Sequence, residues 1–430
     1  MARVLSANYH SLTRAFAFPH GWKFTLSVIF FAQVLSAVGY SMMFPFLPLH
    51  IDTLGTSTGL STELAAGLVI SVQGLTMMVT APFWGVAADR FGRKKMIMRA
   101  MFGGAITMAM MAFAQTAEQL IVIRAMQGLV TGTVSANNAL VAAATPRHRV
   151  GFAMGALQLG LWAGVAIGPL MGGIIADHFG YNIPYLLTGV LLAAGGLVVL
   201  FGVSENFSDS KESVKFDAMS LARGWKDILG TSGVGLALII RFLSGLARTI
   251  IVPIAPLFVV SLIARESATS NTYAGLFMAV SAAASTIGAV YLGNLGDRIS
   301  HRKVLFYCST AAAVFYVPQA LVADVWQLLI LQALAGFAAG GLVAAPSALL
   351  SRYAGTERAG AIYGLENSVM SGSRAAAPLF GATVALMLGM RGTFLASAVV
   401  FALIALIVWR LLPQDKIEPA RKGAPRAKAA

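Results

Sequence analysis

Hydrophobic runs long enough to cross a bilayer follow one another along almost the whole chain, separated by short polar or basic turns. A bilayer core needs roughly 20 apolar residues in helical form. The pattern predicts twelve helices, near residues 24–49, 64–87, 96–115, 119–143, 151–175, 183–203, 234–262, 272–293, 304–322, 326–350, 360–388 and 393–412. The runs are rich in Gly and Ala, which lets helices pack closely where lipid supplies no hydrophobic drive between them. Segments of roughly 10 alternating residues, the mark of a transmembrane barrel, are not visible. The expected fold class is an all-α membrane protein.

The runs fall into two sets. Pro45 and Pro48 return as Pro253 and Pro256, Gly85, Asp89 and Arg90 as Gly293, Asp297 and Arg298, and Gly128 as Gly336, each 208 residues later. Pro169 returns one residue further on, as Pro378. Duplication in a membrane protein predicts two pseudo-symmetric six-helix bundles with a site between them, the architecture of alternating access. The expected organisation is an N-terminal segment 1–23, a first bundle 24–203, a polar linker 204–232, a second bundle 233–412, and a basic tail 413–430 read as disordered.

Composition agrees. The chain is 57% hydrophobic and 11% charged, against about 25% charged in a soluble domain. The net charge of +14 looks like a nucleic-acid signal, but its distribution argues otherwise. With both termini on one side, 25 of the 31 Lys and Arg fall on that side, 2 on the other and 4 within spans. The positive-inside rule then expects both termini in the cytoplasm of a multi-pass cell-membrane protein, with the excess charge facing anionic lipid. Residues 1–20 show no apolar region with a cleavage site, so no removable signal peptide is expected. Cys308 is the only cysteine, no His or Cys cluster exists, and no phosphate-binding Gly-Lys loop occurs. No metal, haem, cofactor, ATPase or other enzymatic activity is expected.

Three motifs carry mechanism. After span 2 the chain reads Gly85, Asp89, Arg90, Gly92, Arg93, Lys94, Lys95. A small residue lets a neighbouring helix approach, a carboxylate at the surface can meet a cation or a helix N-terminus, and Gly92 permits a tight turn. Such a contact can act as a conformational latch. The segment resembles the signature loop of the major facilitator superfamily at every defined position, and Gly293, Asp297 and Arg298 begin a second copy. That copy has Ser300 and His301 where the pattern has Gly and Arg. Span 5 carries Gly155, Gly164, Gly168, Pro169, Gly172 and Gly173, which match the antiporter motif of the drug:proton antiporter branch at six positions. Physically this is a glycine-lined groove, expected to let span 5 pack against a helix of the other half with Pro169 as a pivot. Arg124, Gln127 and Gly128 in span 4 look like the family's span-4 arginine motif. The resemblance implies a role for Arg124 in proton coupling; its position also suits snorkelling or a pair with Glu118. The resemblance covers the chain from span 1 to span 12 and implies the twelve-span, multidrug-efflux type of exporter.

Of 17 acidic residues, only Glu366 lies well inside a span, where Arg241, Arg248 and Arg374 also lie. A charge at mid-bilayer costs ~2.5–3.5 kcal/mol, so these groups should face a wet cavity or one another. Arg241 and Arg248 are seven residues apart on one face of span 7. A Glu366–Arg241 pair is expected, with Arg248 and Arg374 as a positive locus. Glu366 could carry a proton, the arginines could bind an anionic group, or the pair could be a static lock. Gln33, Tyr40, Phe44, Asn137 and Asn138 are further cavity candidates, with helix packing as their alternative role.

The expected function is export of small amphiphilic molecules in exchange for protons, by a protein that needs no second subunit. The alternatives are a proton-independent facilitator or exchanger of organic anions, and a non-transporting membrane sensor.

Overall fold

The computed structural model describes residues 21–205, 233–263, 269–354 and 359–413. The N-terminal segment, most of the expected linker and the basic tail lie outside these residues. Among the described residues every regular element is a helix.

Spans 2, 3, 5 and 6 are Thr62–Phe91, Arg93–Met111, Val150–Phe179 and Asn182–Gly202; spans 8, 9 and 10 are Ser270–Ile299, His301–Gln319 and Val325–Ala354. Spans 11 and 12 form one run, Ala359–Arg410, broken at Gly389, whose φ of 73° no continuous helix adopts. Three spans expected as single helices are interrupted. Span 1 is Trp22–Met42 followed by Leu47–Leu54, and span 7 is Val234–Thr249 followed by Ala255–Leu262. The prolines explain both breaks. Pro45 and Pro253 lie in the gaps, while Pro48 and Pro256 open the next helix, where a missing N–H costs little. Span 4 is Ala117–Val130 and Thr133–Ala144, divided at Gly132 with φ 124°. Seven helices are by themselves long and apolar enough to cross a membrane. Spans 4 and 7 fall short because they are interrupted, and spans 3 and 9 because they begin in charged loops. Twelve crossings in two similar halves are the result.

The halves repeat each other in their packing. A Cβ on Gly172 would meet the Met42 carbonyl oxygen, and one on Gly381 would meet that of Ile250. Gly164 abuts Ala37, and Gly245 abuts Ser373. In each half, therefore, the fifth span lies against the first at near-backbone contact. The glycine motif of span 5, expected to face a helix of the other half, faces two helices. Gly164, Gly168 and Gly172 pack on Ala37, Val38, Ser41 and Met42 of their own half, while Gly173 and Pro169 reach the other half, at Asn271 and Gly275 of span 8. Small residues are needed wherever backbones approach, and span 5 meets backbone both within its bundle and across the interface.

The halves meet on the side away from the basic loops. Gly173 lies against the Asn271 carbonyl and Gly275 against that of Pro169; Gly67 abuts Pro378 and Ala382, and Gly74 abuts Ala375. Toward the basic loops the same interface opens: a Cβ on Gly85 or Gly155 would meet nothing within 4 Å. At these two glycines the halves stand apart on the basic side, while on the opposite side they touch.

Candidate functional site

Four ionisable residues, Glu366, Arg241, Arg248 and Arg374, lie within spans 7 and 11 of the second half. Glu366 is buried in span 11, with its Oε1 2.8 Å from Arg241 Nε. The same oxygen accepts from Ser347 Oγ of span 10, and Arg241 Nη1 donates to the Val343 carbonyl at 3.4 Å. Spans 7, 10 and 11 are thus joined at one carboxylate. Two turns along span 7, Arg248 Nη2 donates to Ser285 Oγ of span 8 at 3.1 Å. Arg374 is accessible midway along span 11. It lies within electrostatic reach of Arg241 and Arg248. Arg241 thus pairs with the carboxylate, while Arg248 and Arg374 lie further along the same two spans.

The first half holds a second polar cluster. Arg124 is completely buried. Its Nε donates to the Val69 carbonyl at 3.3 Å and its Nη1 to Gln127 Oε1 at 2.7 Å; Gln127 Nε2 reaches Thr107 Oγ1 at 3.3 Å. Its charge also acts on the hydroxyls of Tyr40 and Tyr185. Arg124 neither snorkels nor meets Glu118. That carboxylate instead accepts from the Thr58 N–H and Oγ1 at 3.0 and 2.8 Å, bonds that hold it down to about 2. Tyr40 occupies a notch left by Gly104.

The 208-residue offset relates the two clusters. Tyr40 corresponds to Arg248 and Arg124 to Gln332. In the second half Gln332 Nε2 donates to Ser281 Oγ at 2.8 Å, and the Tyr316 hydroxyl lies near both Gln332 and Arg248. The arginine has changed places, from the fourth span of one half to the first span of the other.

Other expected residues separate from these clusters. Asn137 Nδ2 donates to Gln33 Oε1 at 2.7 Å, and Gln33 Nε2 to the Leu157 carbonyl at 3.2 Å. Both side chains are buried and tie spans 1, 4 and 5 together. Phe44 packs on the apolar core at the closed end of the first half, and Asn138 is half-buried. Of the latch residues, Gly92 makes the tight turn with φ 95°, and Arg90 stands over the Phe91 ring at 5.4 Å. Arg93 Nη1 donates to the Ala139 carbonyl at 2.8 Å, so it binds its own half. The Asp89 side chain lies outside those described. In the second copy Asp297 meets His301 Nε2 at 3.1 Å, and Arg298 is exposed.

Sequence reading missed two carboxylates. Glu205 accepts from the N–H groups of Arg93 and Lys94 at 3.0 and 2.8 Å, capping span 3. Asp177, at the closed end of span 5, bonds to Asn271 and Thr272 of span 8. Their shared signal was an acidic residue just past a predicted helix end, level with a helix N-terminus that has no acid of its own.

The profile of the Major Facilitator Superfamily matches residues 29–240 and again residues 237–430. The chain belongs to the major facilitator superfamily. It is a transporter of that family and not an enzyme. The multidrug resistance protein MdtG of Salmonella typhimurium (strain LT2) is 32% identical over 400 residues, covering 93% of this chain and 98% of the relative, and MdtG of Salmonella dublin matches equally. Among solved structures, a bacterial homologue of the human lysosomal transporter Spinster, inward-facing and occupied, superposes with a TM-score of 0.76 at 12% identity, covering 91% of this chain and 97% of that one. The nucleoside transporter NupG (D323A mutant) gives 0.73 at 13%, covering 89% and 99%. The human organic anion transporter MFSD10 gives 0.65 at 17%, covering 91% and 100%. These likenesses carry the fold alone; the superfamily is shown by sequence.

Proposed function

We propose that this transporter exports small amphiphilic molecules, drugs among them, in exchange for protons, from a cytoplasm that holds both termini. Similarity to relatives named multidrug resistance proteins supports the substrate class, and the basic loops on the open face support the orientation. The closed, opposite face is then external.

One observation carries the coupling. Glu366, the only acidic residue well inside a span, is buried in span 11 and bound to Arg241 of span 7. A proton on Glu366 would remove the counter-charge of Arg241 and leave that guanidinium to water, to a substrate, or to a rearranged interface. Proton and substrate then compete for one arginine. Substrate enters from the open side; the halves rock; protonation from outside returns them. The loop at Asp89 and Arg93 would hold the cytoplasmic side shut in the outward-facing state. Inverted vesicles with a preformed pH gradient test this. Adding lipophilic substrate should collapse the gradient, and Glu366→Gln should abolish collapse while substrate still binds. A Glu366→Gln protein that pumps normally overturns the assignment.

A second reading has its own support. Arg248 and Arg374 lie along spans 7 and 11 beyond the Glu366–Arg241 pair, and the guanidinium fork suits carboxylate or phosphate groups. On that reading the protein exchanges organic anions without protons. Flux of an organic acid, indifferent to the pH gradient and lost in Arg248→Gln, would favour it.

A further inference from the structure

The closed face of the interface is fastened by a carboxylate that belongs to none of the motifs. Asp177 lies in the last turn of span 5. Its Oδ1 accepts from the Asn271 N–H at 3.0 Å and Nδ2 at 2.8 Å, and its Oδ2 from the Thr272 N–H at 2.7 Å and Oγ1 at 2.5 Å. Four bonds from one side chain cross from the first half to the second. They end on the first turn of span 8, a 30-residue helix whose N-cap residue, Thr269, makes no side-chain capping bond. The carboxylate therefore caps a helix of the opposite bundle and meets the positive end of its dipole. One and two turns below, the helices touch through Gly173 against the Asn271 carbonyl and Gly275 against the Pro169 carbonyl. Those backbone contacts make the fit but carry no charge.

We propose that Asp177 is the latch of the outer gate, holding the closed face shut by capping span 8, and that outward opening requires these four bonds to break. Halves that rock about their interface must exchange contact on one face for contact on the other. The expected latch of the basic face, at Gly85, stands in open space here, while Asp177 is fully engaged. This inference rests on alternating access and not on proton coupling or on any substrate.

Double electron–electron resonance on the full chain, with neither substrate nor pH gradient, tests it. Spin labels at Phe179→Cys and Leu321→Cys, both exposed at the closed face, report outer opening. Labels at Phe152→Cys and Tyr307→Cys, exposed toward the open face, report the inner side. Cys308 is buried and is replaced by Ser. The parent should show one short outer distance. Asp177→Asn, and separately Thr272→Val, should lengthen the outer distance and shorten the inner one. Loss of charge-assisted bonds should raise the ratio of outer-open to outer-closed molecules by roughly tenfold or more. Combining the two substitutions should add little, because they remove the same contact. An outer distribution unchanged in both single variants overturns the proposal. Should Asp177→Asn fail to fold, Thr272→Val alone decides. Failure of the proton-exchange reading in vesicles would leave these distances unaffected.

Discussion

Lys94 and Arg302 stand 208 residues apart and perform one task. Lys94 Nζ donates to the Leu200 and Val203 carbonyls at the end of span 6; Arg302 Nε and Nη2 donate to the Val408 and Trp409 carbonyls at the end of span 12. Leu200 and Val408 are themselves 208 residues apart. In each half a cation at the start of the third span satisfies the orphan carbonyls of the sixth. The basic loops thus hold each bundle together as well as facing the headgroups. Lys94→Ala and Arg302→Ala should each remove about 1.5–3 kcal/mol of charged hydrogen bonding, seen as a lower melting temperature in detergent. The double variant should lose the sum, since the sites are distant.

The second loop departs from the first at Ser300, which stands where Gly92 does. Gly92 has φ 95° and Ser300 φ 129°, the only non-glycine positive φ among the described residues. The turn survives the substitution, and the backbone is strained for it. A serine hydroxyl accepting from the Lys303 N–H at 3.4 Å is weak compensation. Ser300→Gly should therefore stabilise the protein by about 1 kcal/mol, raising its melting temperature, whereas Gly92→Ala should lower it.

The two halves, the helix count and the inward grouping of Glu366 with Arg241 were legible because each rests on a strong local signal. Twenty apolar residues, a repeated Pro-x-x-Pro and a lone acid in a greasy span all survive without knowledge of packing. What was not legible depends on which surfaces meet. Gly164, Gly168 and Gly172 announce close approach but not the partner, and the partner is span 1 of the same half. Asp177 and Glu205 read as ordinary polar ends because a cap supplied from another helix has no sequence spacing. Arg124 was placed near the surface by counting residues from the span end, yet it is completely buried. Counting along one helix misses the bulk of its neighbours.

Glu118 gives the clearest pH prediction. Hydrogen bonds from the Thr58 hydroxyl, first among several, hold its carboxyl down to about 2, against about 4.3 in an unfolded chain. A carboxyl depressed by folding stabilises the protein above its unfolded value, and the contribution fades as pH falls toward the folded one. Glu118→Gln should melt below the parent at pH 7. The gap should narrow steadily from about pH 4.3 toward about pH 2, followed by light scattering or tryptophan fluorescence.

The glycines of span 5 separate into two groups with different consequences. A Cβ on Gly172 would collide with the Met42 carbonyl, as one on Gly381 would with that of Ile250, while Gly155 has nothing nearby. Gly172→Ala and Gly381→Ala should each cost about 1–3 kcal/mol through forced separation of helices. Gly155→Ala should leave melting unchanged. If Gly155→Ala nevertheless slows transport, the space beside Gly155 is filled in the other conformer, and accelerated cysteine crosslinking there during turnover would report it.

Arg124 offers a trade between stability and activity. The guanidinium is completely buried, one of its nitrogens has no partner, and its contacts are neutral: a carbonyl, Gln127 and two tyrosines. A charge taken out of water and left without a counter-charge is a standing cost to folding. The equivalent position in the second half is occupied by neutral Gln332, which is equally buried and bonds to Ser281. Arg124→Gln copies that solution. It should fold at least as stably as the parent, since it removes the unpaired charge and keeps a hydrogen-bonding amide. If the charge serves the cycle, transport should fall by at least about tenfold, the loss of about 1.4 kcal/mol in the limiting step, at unchanged or higher melting temperature. A variant that melts lower and transports at a proportionately reduced level would instead make Arg124 a structural tie between spans 2, 3 and 4.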